Sequence, residues 1–395
     1  MRILYLHYLC DGDTAVHHVR QFTAAARALG HTVEVQAMNL AGAAPAGPAA
    51  DRAWESGLRP WLKARWGRYL HEPKELAWNL RYAAVERGLV RERQPDVLLV
   101  RDQVLTASCV SVAARTGVPL VLEVNAPAAE SGLYLDQYAH IPRVPEWLER
   151  WKVRHADAVT VVSSALRGHL IARHGVEGSR ITVVPNGADI HRFDPATPAA
   201  PALADGVPTV GFVGSFQKWH GCDVLADLIH AVAARRSDVR FVLVGDGPER
   251  AALEDSVRVL GPRVVFTGVV PHDAVPGIVA GFDVGVMPES NFYGSPLKVI
   301  EWMAAGRAVV APRYRPLEDV IDDGVHGLLF APRDHEAMVG AVLSLLDDPG
   351  RRRALSEAAA ARVRAEFTWE HNARRVLGAC EQAVAHRRRA EVRAA

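Results

Sequence analysis

Short apolar runs recur along this chain, and each one stops at a polar or glycine-containing turn. In the first half they are Ile3 to Leu6, Thr32 to Gln36, Val97 to Val100, Leu120 to Val124, Val159 to Val162 and Ile181 to Val184. In the second half they are Thr209 to Gly214, Phe241 to Val244, Val264 to Val270, Val284 to Met287, Ala308 to Ala311 and Gly327 to Phe330. Continuous apolar runs of this length read as strands buried on both faces, the signature of parallel sheets. Between them lie helical patterns: Ala15 to Leu29 with Gly30 as its stop, Leu166 to His174 behind Ser163 and Ser164, Asp223 to Arg235, and a final stretch from Leu355 to Ala385. Strand and helix alternate twice over, which predicts an α/β chain of two doubly wound parallel-sheet domains. Asp194 to Pro208, rich in proline and alanine, reads as the linker. The domains are therefore placed at 1–195 and 207–370, with a helix and basic tail over 371–395.

Composition narrows the classes. A chain of 395 residues, 49% hydrophobic, can fill two cores. A formal net charge of +1 argues against a protein that binds nucleic acid through bulk charge. Cys10, Cys109, Cys222 and Cys380 form no CxxC pair, so neither a disulfide framework nor a structural zinc is read. Met1 to Leu6 reads as a strand rather than a signal peptide, and no apolar run is long enough to span a membrane; the expected location is the cytoplasm. Ala41 to Ala50 reads as a mobile loop. Trp54 to Glu92 is an arginine-rich helical stretch carrying Trp54, Trp61, Trp66 and Trp78. It describes an ordinary amphipathic helix, with weak peripheral contact to the inner membrane face as the sharper alternative.

One stretch carries most of the candidate chemistry, Pro288 to Gly306. A strand ending at Met287 runs into a polar loop that closes in Ser295-Pro296, and a helix follows. Ser295 is expected as the N-cap, with Pro296 in the first turn. The helix start then offers backbone N–H groups and a positive dipole end to an anion, and Lys298 adds a full charge. Glu301, three residues on, shares nearly the same face. Phosphates at the lysine and a ribose diol at the carboxylate suit a nucleoside diphosphate sugar. The alternative is an ordinary Lys298–Glu301 pair on a solvated face. A second loop between strand and helix, Ser215 to Gly221, contains Lys218 and His220, with Lys218 a candidate phosphate contact. The Gly12 loop lacks a full GxGxxG, so no dinucleotide fingerprint is read there. Asn125 ends a buried strand at a carboxyl edge.

Several segments together resemble family 4 glycosyltransferases: Val184-Pro185-Asn186-Gly187-Ala188-Asp189 with Phe193 and Pro195, Val244-Gly245-Asp246-Gly247-Pro248-Glu249, Phe266-Thr267-Gly268, and Glu301-Trp302-Met303-Ala304-Ala305-Gly306. The resemblance implies a GT-B fold, with two Rossmann-like domains, a cleft between them and a C-terminal helix crossing back. It implies a retaining, metal-independent transfer from a nucleoside diphosphate sugar, UDP or GDP, to a hydroxyl of a small-molecule or lipid-linked acceptor. Lys218, Lys298 and Glu301 take the catalytic roles, with Glu301 on the ribose. Donor binding is assigned to Gly12, Gly214, Ser215, His220, Gly245, Asp246, Gly268, Val269, Glu289, Tyr293, Gly294, Ser295 and Leu297. Asn125 and Glu130 are assigned to the acceptor or sugar side. No metal ligand, no cofactor and no nucleic-acid partner is expected, and no oligomeric state is read. Tyr293 stands where the family usually has a glutamate, with Glu289 nearby as its substitute. His220 stands where many members carry a basic residue, and Asn125 where many carry a histidine. A sugar-nucleotide epimerase of the same fold and a non-catalytic nucleotide-sugar-binding relative are the rival expectations.

Overall fold

A computed structural model describes residues 1–9, 15–38, 60–128 and 143–394, with the backbone alone described for 60–71 and 390–394. The chain divides into two compact units, Met1–Val184 with Asn372–Ala395, and Pro185–His371. Each is built on a six-stranded parallel sheet. Every apolar run read from the sequence is a strand, within a residue or two at its ends.

In the first unit the strands are β1 (Arg2–His7), β2 (Thr32–Ala37), β3 (Val97–Arg101), β4 (Leu120–Val124), β5 (Ala158–Val161) and β6 (Ile181–Val183), in the order β2-β1-β3-β4-β5-β6. Ile3, Tyr5, Val97, Leu99 and Val121 form one face of its core with Phe22 from the helix Ala15–Ala28. Val376, Leu377 and Cys380, from the last helix, Trp369–Ala394, close that core. The chain leaves β1 for β2 on one side and returns to β3 on the other. The sheet therefore reverses direction between β1 and β3, where open α/β sheets leave a crevice at the carboxyl edge. The helix that precedes β3 spans Pro60–Arg93, with Pro73 inside it. Among the described residues no helix is long and apolar enough to cross a membrane.

The second unit holds β7 (Thr209–Val213), β8 (Arg240–Val244), β9 (Val264–Gly268), β10 (Val284–Val286), β11 (Ala308–Pro312) and β12 (Leu328–Phe330), in the order β12-β11-β10-β7-β8-β9. Here the reversal falls between β7 and β10. Phe212, Phe241, Leu243 and Val310 face the helices Cys222–Arg235 and His335–Asp347. Val242, Val244, Val309 and Ala311 face Phe282 and the helix Leu297–Ala304, which contributes Val299, Ile300, Trp302 and Met303. Two strand glycines make room for large rings. A Cβ on Gly285 would lie 2.7 Å from the Trp302 ring, and one on Gly211 only 2.2 Å from that of Phe282.

Three readings change. The segment read as a linker packs on the second unit: Ala200 N–H donates to the Gly277 carbonyl at 2.8 Å, and Asp205 pairs with Arg240 at 2.8 Å. The compact units accordingly divide after Val184, ahead of the expected linker, and after His371, within one residue of the boundary expected there. The final helical stretch is two helices, Pro349–Glu366 and Trp369–Ala394. They are broken at Phe367-Thr368 because that dipeptide pairs with the segment after β6: Ala188 bridges Thr368, and a Cβ on Gly187 would strike the Thr368 carbonyl carbon at 2.5 Å. Ser163 caps the helix Ser164–His174 by accepting from the Leu166 N–H, as its sequence position predicts.

Trp302, 1% exposed, anchors the helix that carries Lys298 and Glu301. Trp302→Ala is expected to lower unfolding stability by about 3–5 kcal/mol, the usual cost of so large a core deletion; urea denaturation followed by circular dichroism measures it.

Candidate functional site

The turns at the carboxyl edge of the second sheet are locked together backbone against backbone. Gly245, at φ +120°, follows β8, and a Cβ there would lie 1.9 Å from the Gly214 carbonyl oxygen after β7. A Cβ on Gly247 would lie equally close, 1.9 Å, to the Ser215 carbonyl oxygen. Only glycine fits such approaches. Gly245 N–H donates to the Gly268 carbonyl at 2.9 Å, which ties in the turn after β9. Gly221, at φ +63°, lies against Glu289, whose Cβ would be 2.6 Å from a side chain added there. Backbone packing thus joins the loops after β7, β8, β9 and β10, on both sides of the reversal point.

Lys298 and Glu301 lie in the first turns of the helix Leu297–Ala304, beside that reversal. Each keeps part of its side chain in contact with solvent. Lys298 Nζ lies 3.0 Å from His220 Nε2 and 4.8 Å from the centre of the Phe212 ring. Burial pulls its ammonium down to about 7, against the opposing pull of Cys222 and Glu301. Burial takes His220 down to about 3, and any charge on Lys298 pushes the same way, so this imidazole is neutral. Burial pushes Glu301 up to about 8, opposed by Arg192 and reinforced by Asp189. Arg192 itself holds the His272 carbonyl and the Asp273 carboxylate, both at 2.9 Å.

The helix start is more sparing than its sequence suggests. Ser295 is not the N-cap: Pro296 occupies that position, and Ser295 Oγ instead accepts from the Asn186 N–H at 3.0 Å. The Leu297 amide turns back to the Ser295 carbonyl at 3.0 Å, and the Val299 and Ile300 amides go to Pro296. Among the described residues, the Lys298 amide is left as the first-turn donor not spent within the turn. In the preceding loop Asn291 Oδ1 accepts from the Tyr293 and Gly294 amides at 3.2 and 2.6 Å, and Glu289 accepts from its neighbour Ser290 at 2.9 Å. Glu289 also holds the Tyr314 hydroxyl. Lys218 is exposed, Val269 is 78% exposed, and the Asp246 carboxylate caps the Gly247 amide at 2.8 Å. Gly12 and Glu130 lie outside the described residues.

Asn125 belongs to a different cluster, in the first unit. Its Nδ2 donates to Glu123 Oε1 at 2.7 Å. Arg101 donates to the same oxygen at 2.6 Å, and the Tyr5 hydroxyl donates to Oε2 at 2.5 Å. Burial alone would raise the Glu123 carboxyl, but Arg101, His18 and the Tyr5 and Asn125 hydrogen bonds outweigh it and hold it below the usual carboxylate range. His18, pulled down by burial to about 4, stands neutral 3.6 Å from Glu123. His18, Glu123 and Asn125 line a small cavity with Thr160, whose buried hydroxyl has no hydrogen-bond partner among the described residues. Periodicity placed Asn125 at the strand end. The same reading put Glu123 at that polar strand end without its role, whereas Arg101 and His18 escaped notice because each is an isolated polar residue in its own segment, as did Arg192 and the contact of His220 with Lys298.

Because the folded state lowers the Glu123 pKa, the stability it contributes is present above the unfolded carboxylate value and is lost as pH falls through the folded one. Glu123→Gln leaves Arg101 buried without its counter-ion and is expected to cost about 3–5 kcal/mol at neutral pH. That loss should shrink on acidification, and urea titrations at several pH values measure it.

Two family models match the chain: residues 15–192 match "Glycosyltransferase Family 4", and residues 207–348 match "Glycosyl transferases group 1". The 2-deoxystreptamine glucosyltransferase of Streptomyces kanamyceticus is 31% identical over 69% of this chain and 74% of its own. A glycogen synthase of Mycobacterium tuberculosis is 26% identical over 89% of this chain and 87% of its own. Among solved structures, Anabaena HepE in complex with UDP superposes with a TM-score of 0.70 at 19% identity, covering 96% of this chain and 99% of that one. Sucrose-phosphate synthase of Thermosynechococcus elongatus does so at 0.73 and 21%, covering 98% and 100%.

Proposed function

Since the chain belongs to the family 4 glycosyltransferases and has their GT-B fold, we propose that it transfers a hexose from a UDP-sugar to a hydroxyl of a small polyhydroxylated acceptor, with retention of anomeric configuration and without a metal ion. One observation carries the donor assignment. Beside the reversal point of the second sheet, a half-buried carboxyl and a half-buried amine stand one helical turn apart, and the carboxyl has no ion pair or hydrogen bond among the described residues. That pairing suits a ligand bearing a diol and a diphosphate in sequence. Glu301 accepts from the ribose hydroxyls. Lys298, its backbone amide and His220 Nε2 face the diphosphate. Gly214, Ser215, Gly245 and Gly268 supply the backbone wall along which it lies. UDP is preferred as the nucleotide because a structural neighbour is described in complex with UDP-glucose. A small polyhydroxylated acceptor is preferred because a relative is named for 2-deoxystreptamine.

As the anomeric bond breaks, negative charge grows on the leaving diphosphate. Lys298 and the amide beside it stabilise that charge in a site where few waters compete, and so take the role a divalent cation plays elsewhere. The acceptor hydroxyl enters on the face the diphosphate leaves, and its proton passes to a departing phosphate oxygen. No enzyme nucleophile is needed in this scheme. Glu289, turned toward Tyr314 and Gly221, is the carboxylate nearest in sequence to the place the family gives to a sugar-contacting glutamate. Lys218 reaches solvent and would meet the diphosphate only after moving. Asn125 remains the sugar-side candidate of the first unit.

Lys298→Ala and Glu301→Ala are each expected to lower transfer by about two orders of magnitude, the scale of losing one preorganised charge contact, with little change in melting temperature. Near wild-type turnover in both variants contradicts the site. UDP-sugars should raise the melting temperature more than GDP- or dTDP-sugars, since only a bound ligand stabilises the folded state. Turnover should persist in excess chelator; its abolition, with rescue by manganese, contradicts metal independence.

A further inference from the structure

Lys298 and Glu301 are placed so that neither has the partner its ionised form calls for. The carboxyl of Glu301 receives no hydrogen bond and makes no ion pair among the described residues, while Arg192, the cation that acts on it, is spent on His272 and Asp273. Lys298 Nζ has His220 Nε2 as its polar partner, at 3.0 Å. The other nitrogen of that ring, Nδ1, faces the Gln217 N–H, 3.4 Å away, and accepts from it. A neutral imidazole carries one N–H and one lone pair. With Nδ1 accepting, the proton sits on Nε2 and points at Nζ, which must receive it with a lone pair. An ammonium there would force the ring proton onto Nδ1, against the Gln217 N–H.

We propose that in the free protein Lys298 rests as an amine, held in that form by His220, and Glu301 as a carboxylic acid, and that a nucleoside diphosphate sugar charges both as it binds. The inference rests on the donor site proposed above. The diphosphate calls for an ammonium and the ribose diol for a carboxylate. One O–H bond of the Glu301 carboxyl breaks and one N–H bond forms on Lys298 Nζ, by way of water, so the proton count of the complex is unchanged. His220 Nε2–H, relieved of the amine lone pair, then points at the same diphosphate. His220 is thus a positioning residue that sets the protonation state of Lys298.

The surroundings agree. Lys298 faces the Phe212 ring, His220, Cys222 and Glu301, and the Cys222 thiol, pushed up by burial to about 11, carries no charge. Glu301 faces Arg192, Asp189 and Lys298. Glu289 is turned to Ser290 and Tyr314. With the amine near 7 and the carboxyl near 8, both neutral forms coexist around neutral pH.

Isothermal titration with UDP-glucose, in buffers of differing ionisation enthalpy, reads the protons exchanged on binding. The free wild-type protein should release protons at about pH 6.5, exchange none at about pH 7.5 and take them up at about pH 8.5. Glu301→Gln abolishes the release and should show uptake of roughly three-quarters of a proton at about pH 7.5. Adding His220→Gln, whose amide oxygen can accept from an ammonium, should remove most of that uptake; a merely structural role for His220 leaves it unchanged. Uptake in wild type equal to that of Glu301→Gln means a carboxylate already present, and no uptake in Glu301→Gln means an ammonium already present; either overturns the inference. The wild-type sign reversal needs no variant to fold. If UDP-glucose fails to bind, or binds Lys298→Ala and Glu301→Ala as tightly as wild type, the donor site fails and the inference with it.

Discussion

The cost of holding a charge away from water governs the second unit. Lys298 and Glu301 sit on a helix whose other face, Val299, Ile300, Trp302 and Met303, is sunk into the core. A helix of 8 residues has no stability of its own in water, so that apolar face is what keeps it in place. The same packing brings the amine and the carboxyl to the sheet edge and strips them of much of their water. Among the described residues neither has an opposite charge in direct contact, and the more distant pulls of Arg192 on Glu301 and of the two groups on each other do not offset the burial. Their ordinary titration is displaced as a direct consequence, and the diol and diphosphate of the proposed donor would relieve it.

The first unit offers the contrasting case. Glu123 is set more deeply, yet Arg101, Tyr5 and Asn125 all donate to it, and its pKa falls instead of rising. Lys152 and Asp102, and Glu149 and His174, are further buried pairs in that unit with their partners supplied by the protein. A satisfied ionic cluster fixes a fold. An unsatisfied one, beside a reversal point and a set of glycine turns, marks a place prepared for a ligand. This difference, more than the identity of the residues, separates Glu301 from Glu123.

The strands were legible because a parallel sheet buries both faces, and a run such as Val97 to Val100 leaves no other reading. Lys298 and Glu301 were legible because the strand, loop, Ser-Pro and helix stand next to one another in the chain. The N-cap was misread because Ser295 has a second use, as acceptor for Asn186, which is 109 residues away in sequence. The break at Phe367-Thr368 was hidden for a like reason, since the helical pattern is strong on both sides and only the pairing with Gly187-Ala188 interrupts it. The partners of Glu123 come from β1, β3 and the helix Ala15–Ala28, so no local pattern could have assembled them. Local chemistry announces itself in sequence; chemistry gathered by the sheet from distant segments does not.

A crystal structure of the protein with a bound, non-transferable UDP-sugar analogue is the most direct test of the donor site. The account predicts the ribose hydroxyls within hydrogen-bond distance of the Glu301 carboxylate and the diphosphate against Lys298 Nζ. A nucleotide bound elsewhere, with those two side chains directed at solvent, contradicts it.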